Sequence, residues 1–204
     1  FIRDKVADSG DTKKQGQCTP AAYLSVMPLR GFKAFELRAF FKQSFRMPTF
    51  NDLYYADMGN SRLDPEKVTQ WNVGALVDRS FRSGLLRGYR ISADAYLNHV
   101  TDKIIAYPKG QQFRWTMLNL GKVRIKGIDV SAAVTVNPVS SLELTVRGQY
   151  TFQEAIDITN PADSYYRDQI PYIPHHSGSA VVNLSWRRWG LNYSFIYVGS
   201  RYNQ

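Results

Sequence analysis

The sequence has 204 residues, of which 14% are aromatic and 21% are charged, and its 26 Lys and Arg against 17 Asp and Glu give a formal net charge of +9. This content of large apolar residues excludes a disordered or low-complexity chain. The single cysteine, Cys18, excludes an intramolecular disulfide, and no Cys or His spacing matches a zinc site. No window reaches the ~18 consecutive apolar residues of a membrane-spanning helix, which excludes a helical membrane protein. A transmembrane β-barrel is compatible with the mean hydropathy of −0.36, because its strands alternate apolar and polar residues.

The ends of the sequence lead us to expect a piece of a longer protein. It begins at Phe1 with a polar stretch and lacks the basic start and apolar middle of a signal peptide. Its last strand-like segment, Leu191 to Tyr202, runs almost to the final residue, Gln204.

Apolar and polar residues alternate along most of the chain, and a period of two predicts β-strands. Seven segments alternate clearly, and an eighth, about Tyr23 to Met27, alternates more weakly. The seven are Phe35–Phe41, Trp71–Val77, Tyr89–Leu97, Ile128–Val136, Leu142–Phe152, Ala180–Trp186 and Leu191–Tyr197. We therefore predict an all-β fold of about eight strands in an antiparallel up-and-down meander.

Short and long connections alternate between these strands. The short ones are rich in Gly, Pro, Asn and Ser, which suits tight antiparallel turns; they are Pro28–Gly31, Ser80–Gly84, Asn137–Ser141 and Arg187–Gly190. The long ones are about Arg46–Glu66, His99–Gln112 and Glu154–Ser177. Short turns at one end and long loops at the other are typical of outer-membrane barrels.

The two faces of the predicted strands differ in chemistry. One face is almost entirely aliphatic and aromatic, whereas the other carries charged and amide side chains that destabilise a protein core unless they are paired. A water-filled lumen accommodates these groups, and aromatic residues near strand ends suit the interfacial girdles of a barrel; they are Trp71, Trp115, Trp186, Trp189 and Tyr193. A soluble β-sandwich with the apolar face in its core remains an alternative.

The alternation changes parity once within a strand-like run. Apolar residues occupy odd positions from Trp115 to Ile125 and even positions from Ile128 to Val136. A β-bulge at Gly127 would explain this slip.

Four motifs resemble the barrel of TonB-dependent outer-membrane receptors, in the same order and at similar spacing. They are Phe45 to Tyr55 with Gly59-Asn60 and Leu63 to Lys67; Asn119-Leu120-Gly121 leading to Gly127-Ile128-Asp129; Ile170 to Gly178; and Val198 to Tyr202. The resemblance covers about Tyr23 to Tyr202. It implies that residues 1–204 are about eight strands of a larger barrel of roughly 22 strands, without the plug domain and the last strands.

The resemblance also implies a function and its partners. The family binds scarce, large nutrients and imports them with energy from the TonB machinery, which acts through the plug. We expect a metal-chelate or corrinoid ligand, such as a siderophore, haem or cobalamin, and location in the outer membrane. We expect no enzymatic activity, no catalytic residue, no cofactor and no bound metal. A passive porin or structural barrel, or a soluble carbohydrate-binding β-sandwich, remains the alternative.

Aromatic and polar residues of the long loops are the candidate ligand-binding residues, because flat rings and oriented hydrogen-bonding groups suit a chelate or a corrinoid periphery. The candidates are Arg46, Asn51, Tyr54, Tyr55, Tyr107, Gln111, Tyr165, Tyr166 and Arg167. A structural role for the first four is the favoured interpretation, because their motif is shared by receptors with different ligands. The other five, farther out on the loops, are the better candidates for specificity.

Other functional interpretations are weaker. His175 and His176 are adjacent and would point to opposite faces of a strand, which disfavours a shared metal. Glu36 and Asp78 form no recognisable catalytic arrangement with a Ser or His motif. The basic residues are spread along the chain instead of forming one stripe, so we expect no nucleic acid partner. Outer-membrane lipid and the phosphates of lipopolysaccharide are the expected anionic partners.

Overall fold

The computed structural model describes residues 2–5, 12–15, 18–29, 34–56, 58–109 and 114–201. Two short strands, β1 (Ile2–Lys5) and β2 (Thr12–Gln15), form a two-stranded antiparallel sheet in a segment where the sequence predicted no strands. No helix among the described residues is long and apolar enough to cross a membrane.

The remaining strands form one eight-stranded sheet whose spatial order follows the sequence, and all neighbours are antiparallel. The strands are β3 (Ala21–Val26), β4 (Phe35–Arg46), β5 (Glu66–Ser80), β6 (Leu86–Lys109), β7 (Arg114–Val139), β8 (Leu142–Asp157), β9 (His176–Trp186) and β10 (Trp189–Val198). A short helix, α1 (Phe50–Tyr54), lies between β4 and β5. The predicted all-β, up-and-down meander of eight strands is therefore confirmed.

The connections separate into a short end and a long end. Residues 81–85, 140–141 and 187–188 make short turns, whereas residues 47–65 and 158–175 form long loops at the other end. The predicted long connection from His99 to Gln112 is wrong over His99–Lys109, where β6 continues. The alternation that predicts β6 up to Leu97 does not continue into this extension, because buried Val100 and Ile104 lie on the opposite face of the sheet from Leu97. Of the predicted turn Pro28–Gly31, the last two residues lie outside the described residues.

One face of the eight-stranded sheet is apolar and exposed. Strand register aligns Val73, Ala95 and Ile128 across β5, β6 and β7, and the next row toward the short-turn end, Ala75, Ala93 and Val130, is equally apolar. Trp71 is 54% exposed and Val73 is 64% exposed. We call this the belt face and the opposite one the inner face. A soluble sandwich would cover such a face with a second sheet, and none covers it within the described residues.

The inner face carries polar and charged side chains that pair across strands. Arg38 on β4 donates from Nε to Asp94 Oδ1 on β6 at 3.0 Å, reaching over the intervening strand β5 at Gly74. A Cβ at Gly74 would collide with the Asp94 carboxylate. Tyr96 likewise crosses β7 above Gly127. Bare glycine backbone thus lets side chains connect strands that are not neighbours.

The sequence-based prediction of a bulge at Gly127 is wrong. Gly127 pairs in regular register with Tyr96 on β6 and Gln153 on β8, and the irregularities of β7 lie elsewhere, near its short-turn end. A side chain at Gly127 would strike the Phe152 carbonyl and the Tyr96 ring, and the Tyr96 hydroxyl donates to Gln153 Oε1 at 3.2 Å. The strand continues unbroken, and only the face that carries its apolar residues changes.

Beyond Gly127 some of the apolar side chains lie on the inner face, whereas Leu118, Leu120 and Ile156 keep the parity of the belt face. Val100, Val123, Ala155 and Ile170 form a buried cluster on the inner face, which we call the upper cluster, with Ile170 contributed by the loop 158–175. Register places Val100 opposite Val123. The long-loop ends of β6, β7 and β8 therefore have a small core of their own, and this core anchors the site described next.

The aromatic residues proposed for girdles divide by position. Trp71 packs against Phe41 with ring centroids 4.5 Å apart at the upper edge of the belt, and Trp186 and Trp189 are exposed at the short-turn end. Trp115 instead lies near the tip of β7 with its ring centroid 6.0 Å from that of Tyr172 in loop 158–175, so it belongs to the loop end and not to a girdle.

Candidate ligand site in the long loops

The loop 47–65 begins with a capped helix. The Thr49 side chain accepts from the Asp52 backbone N–H at 3.2 Å, and the Asp52 carboxylate accepts from the Thr49 backbone N–H at 2.8 Å. This capping box satisfies two backbone donors at the start of α1. The Gly59 N–H donates to the Tyr55 carbonyl at 2.7 Å and closes the turn behind the helix.

The same loop is fastened to β7 by amide side chains. Asn60 Nδ2 donates to the Met117 carbonyl at 3.0 Å, and the Met117 N–H donates to the Met58 carbonyl at 2.8 Å. Asn119 Oδ1 accepts from the Asp64 N–H at 2.9 Å, and its Nδ2 donates to the Asp64 carbonyl at 3.0 Å. Two of the motifs that carry the family resemblance therefore contact each other directly.

A buried carboxylate stabilises this junction. Glu66 is 5% exposed, and its Oε1 lies 3.2 Å from Lys103 Nζ on β6 while its Oε2 lies 3.5 Å from Arg46 Nε on β4. Oε2 also accepts from the Ile104 backbone N–H at 3.3 Å. A buried charge needs such pairing to avoid a large desolvation cost, so Glu66 joins three strands at the base of the loops.

The candidate residues of loop 47–65 divide into paired and free positions. Arg46 contacts Asp52 and Glu66, each at 3.5 Å, and these ion pairs indicate a structural role. Asn51, Tyr54 and Tyr55 are exposed on α1 and its C-terminal cap, and the Tyr54 ring packs against Phe50 at 5.1 Å between centroids. Those three side chains remain accessible to a ligand.

The loop 158–175 continues the sheet before folding back. The Ile158 N–H donates to the Lys122 carbonyl at 2.9 Å, which extends β8 along β7. Asn160 and Asp163 side chains each accept from a backbone N–H two residues later, at 3.1 and 3.2 Å, so two Asx turns reverse the chain. The chain then returns antiparallel to β8, where the Ile170 N–H donates to the Ala155 carbonyl at 2.8 Å.

A cavity of about 740 Å³ lies between this loop and the outer ends of β6, β7 and β8. Its volume lies within the range of about 300–1,000 Å³ typical of small-molecule sites. Its apolar floor includes Leu118, Leu120 and Ile156. Four carboxylates and one arginine add charge to the wall: Glu154, Asp157, Asp163, Asp168 and Arg167. Lys126 Nζ lies 2.9 Å from Glu154, and the other three carboxylates against one arginine leave the cavity acidic and rich in hydrogen-bond acceptors.

The structure places the outer candidate residues unequally. Tyr165 and Arg167 line the cavity, whereas Tyr166 is half-buried beside it. Tyr107 lies in β6, where only the backbone is described, and Gln111 lies outside the described residues. Sequence reasoning missed Glu154, Asp163 and Asp168. The sequence feature that indicates them is the high density of acidic residues between 154 and 168, whereas the candidates were chosen for aromatic and hydrogen-bonding side chains.

The two adjacent histidines have separate partners. His175 Nδ1 lies 3.2 Å from the Gln153 carbonyl oxygen, and His176 Nδ1 lies 2.8 Å from the Tyr150 hydroxyl. His175 lines the cavity, while the ring centroid of His176 lies 5.3 Å from that of Phe152. Among the residues that the structure describes, no group of three or more His, Cys, Asp or Glu could hold a metal ion.

Comparison with known proteins places this arrangement in a family. A family model described as TonB dependent receptor-like, beta-barrel matches residues 2–204. The chain belongs to this TonB-dependent receptor β-barrel family. Its location is the outer membrane, and the belt face therefore faces lipid.

Curated proteins and solved structures resemble the chain. A protein named vitamin B12 transporter BtuB from Vibrio vulnificus is 38% identical over 157 residues, which is 77% of this chain and 23% of that protein. A protein of the same name from Photobacterium profundum is 26% identical over 161 residues, 78% of this chain and 24% of that protein. The chain thus spans about a quarter of the length of these relatives.

One structural neighbour is named copper transporter OprC. It aligns with a TM-score of 0.61 over 94% of this chain and 28% of its own, at 16% identity. This likeness shows the fold, and the eight strands correspond to part of a larger receptor barrel.

Proposed function

We propose that the protein containing this chain is a receptor that binds a corrinoid of the cobalamin class outside the cell and imports it with TonB-derived energy acting through a plug domain. The family membership and the two relatives named as vitamin B12 transporters support the proposal. In this proposal the chain supplies part of the barrel wall and part of the extracellular ligand site.

The acidic lining of the cavity is the observation that carries the choice of ligand. Carboxylates accept hydrogen bonds and repel anions. The amide groups around a corrin ring are hydrogen-bond donors, whereas haem carries two propionates and most ferric siderophores are anionic. Glu154 is paired with Lys126, and the other three carboxylates against one arginine favour a corrinoid edge over those ligands. A corrinoid is larger than the cavity, so loop 158–175 would hold one edge of it, with exposed Tyr165 stacking against the ring system.

The alternatives make different demands on the same loops. A siderophore or haem receptor would place Arg167 and further cations against the ligand. A passive porin would have no need of a loop held by the paired amides and carboxylate that connect 47–65 to β6 and β7.

Equilibrium binding of cyanocobalamin to the full-length receptor tests the proposal, read by quenching of tryptophan fluorescence. Trp115 lies 6.0 Å from Tyr172 between ring centroids and so reports on loop 158–175. Asp168→Asn should weaken binding about 10-fold or more, because a hydrogen bond to a charged group contributes about 1.5–3 kcal/mol. Tyr165→Ala should weaken binding about 2- to 10-fold, because an aromatic stacking contact contributes about 0.5–1.5 kcal/mol. Glu143→Gln, an exposed carboxylate at the short-turn end, is the control and should leave binding unchanged. Tight binding of haem or a ferric siderophore, with none of cyanocobalamin, would overturn the proposal.

A further inference from the structure

Beside two of the short turns, an arginine lies against an aromatic ring. In the turn after β9, the Arg187 Cζ atom lies 5.6 Å from the centroid of the Trp186 ring. At the end of β5, the Arg79 Cζ atom lies 5.3 Å from the centroid of the Phe81 ring. Both distances are within the roughly 6 Å at which a cation is attracted to a ring face. Each ring therefore holds a guanidinium group at a defined place at the short-turn end of the sheet.

Both contacts lie on the belt face. Residues an even number of positions apart on a strand share a face. Arg79 is six positions from Val73 on β5, so its side chain belongs to the belt face. Trp186 pairs with Leu142 of β8, which is four positions from Val146 of the belt face. The guanidinium stacked on Trp186 lies on the same side, so both arginines are on the lipid side of the wall.

The charge at this end is distributed unequally between the two faces. Three carboxylates of the eight-stranded sheet lie near the short turns: Glu36, Asp78 and Glu143. Register places all three on the inner face. Arg187 and Arg188 are exposed and form no ion pair with the described residues. The lipid side of the short-turn end is therefore cationic and can accept an anion.

The backbone at Arg187 does not favour an arginine. Its φ of +52° is in the left-handed region, which favours Gly, Asn and Asp over residues with longer side chains. The Arg187 N–H donates to the Ser141 carbonyl at 3.1 Å and so ties this turn to the one after β7. Any residue except proline could donate that hydrogen bond. Arginine therefore contributes here through its side chain and not through formation of the turn.

The height of these arginines matches that of lipid headgroups on the periplasmic side. The short turns lie at the periplasmic end in barrels of this kind. Trp186 is 48% exposed and Trp189 is 76% exposed, and tryptophans at such positions mark the membrane–water interface. An arginine beside them keeps its stem against apolar surface and its guanidinium in the polar layer. The guanidinium groups therefore face the headgroups of the periplasmic leaflet.

We propose that two pairs of arginines, Arg187 with Arg188 and Arg79 with exposed Arg82, each bind the phosphate of an anionic phospholipid in the periplasmic leaflet. Guanidinium groups bind phosphate oxygens through short charge-assisted hydrogen bonds, often two at a time. The ring contacts favour a lipid over peptidoglycan, because they hold the guanidinium groups against the membrane side of the wall. The two sites are independent of the ligand-binding function proposed for the loops, since they lie at the opposite end of the sheet.

Native mass spectrometry of the full-length receptor in detergent, titrated with dioleoylphosphatidylglycerol, tests this assignment. Arg187→Gln/Arg188→Gln should weaken binding at its own site about 10- to 30-fold, since each basic residue near an anionic membrane surface contributes about 1 kcal/mol. At a lipid concentration that fills the wild-type sites, this variant should therefore hold one phosphatidylglycerol fewer. Arg79→Gln/Arg82→Gln should show the same loss at the other turn, and it supplies the test if the first variant does not fold. Dioleoylphosphatidylcholine should bind the wild type and both variants equally.

Arg90→Gln/Arg147→Gln is the matched control, because it removes the same charge from the inner face. Arg90 is one residue from Tyr89, the partner of Arg79, and Arg147 is exposed on β8. The control should hold as many phosphatidylglycerol molecules as the wild type. Equal phosphatidylglycerol binding by the wild type and both turn variants would overturn the assignment. So would an equal loss in the control, because the effect would then follow net charge and not position. Loss of binding to isolated peptidoglycan, with lipid binding unchanged, would overturn it too, because the arginines would then act toward the periplasm.

Discussion

The two halves of β7 have the same backbone geometry but opposite distributions of apolar residues. From Ile128 to Val136 the apolar side chains lie on the belt face, whereas Val123 of the upper cluster and Ile125, which packs against it, lie on the inner face. Pairing with β6 and β8 continues across the change at Gly127. The strand therefore passes from one environment to another without any change in its own structure.

The difference follows from what each half contacts. In the membrane, lipid surrounds the barrel and the lumen is wet, so apolar side chains face outward. Beyond the membrane both sides meet water, and the apolar residues gather where a loop can cover them. Ile170 of loop 158–175 provides that cover on the inner face. The parity switch thus marks the height at which the strand leaves the bilayer.

A charge on the belt face should give the largest effect. Val130→Arg places a guanidinium against lipid near the middle of the belt, which should lower the free energy of unfolding by about 2–4 kcal/mol. Gln149→Arg puts the same side chain on the inner face of the adjacent strand, where Gln149 is exposed, and should cost less than about 1 kcal/mol. Urea unfolding of the full-length receptor in lipid vesicles measures both.

Equal destabilisation by the two arginines would contradict the assignment of faces. A retained heat-dependent gel shift in both variants would first establish that each one folds as a barrel.

The part of the sheet that carries the belt face could be predicted from the sequence, because strict alternation of apolar and polar residues governs all of its strands. Alternation with one apolar face identified all eight strands of the large sheet, and the short turns followed from their Gly, Pro, Asn and Ser residues. The parts of β6, β7 and β8 on the long-loop side of Gly127, which we call the projecting half, could not be predicted in this way. A change of face at Gly127 has the same sequence pattern as a bulge, and only the register of the neighbouring strands distinguishes the two.

The candidate site was less predictable than the fold. Aromatic and cationic residues in long loops pointed to Tyr165 and Arg167, which line the cavity, but not to Asp163 or Asp168. Whether an acidic loop residue lines a cavity depends on how the loop folds back, which is fixed by Asx turns and by pairing with β8. Arg46 is the opposite case, a predicted ligand-binding candidate whose contact with buried Glu66 indicates a structural role.

The position at which the apolar residues of β7 change face, Gly127, provides the next test. Gly127→Ala should lower the free energy of unfolding by about 1–3 kcal/mol, because the added methyl group collides with the Phe152 carbonyl and the Tyr96 ring in a packed position. Gly148→Ala is the matched control on the belt face of β8, where the nearest atom, the Ser179 carbonyl oxygen, lies 3.9 Å from an added Cβ. The same unfolding assay compares them. If Gly127→Ala left the free energy of unfolding unchanged, the packing of the Tyr96 ring directly above Gly127 would not be needed where the apolar residues of β7 change face.

The smallest expected effect compares equal truncations in the two environments. Val123 is 0% exposed in the upper cluster, so Val123→Ala leaves a cavity that no solvent fills and should cost about 1–2.5 kcal/mol. Val146 is 42% exposed on the belt face, where lipid chains can fill the space left by Val146→Ala, so its cost should stay below about 1 kcal/mol. Urea unfolding in lipid vesicles gives both values. Hydrogen exchange at Ile170 should rise in Val123→Ala alone, because this truncation loosens the loop that covers the cluster. A greater loss from Val146→Ala would mean that the projecting half draws its stability from backbone pairing and not from its own core.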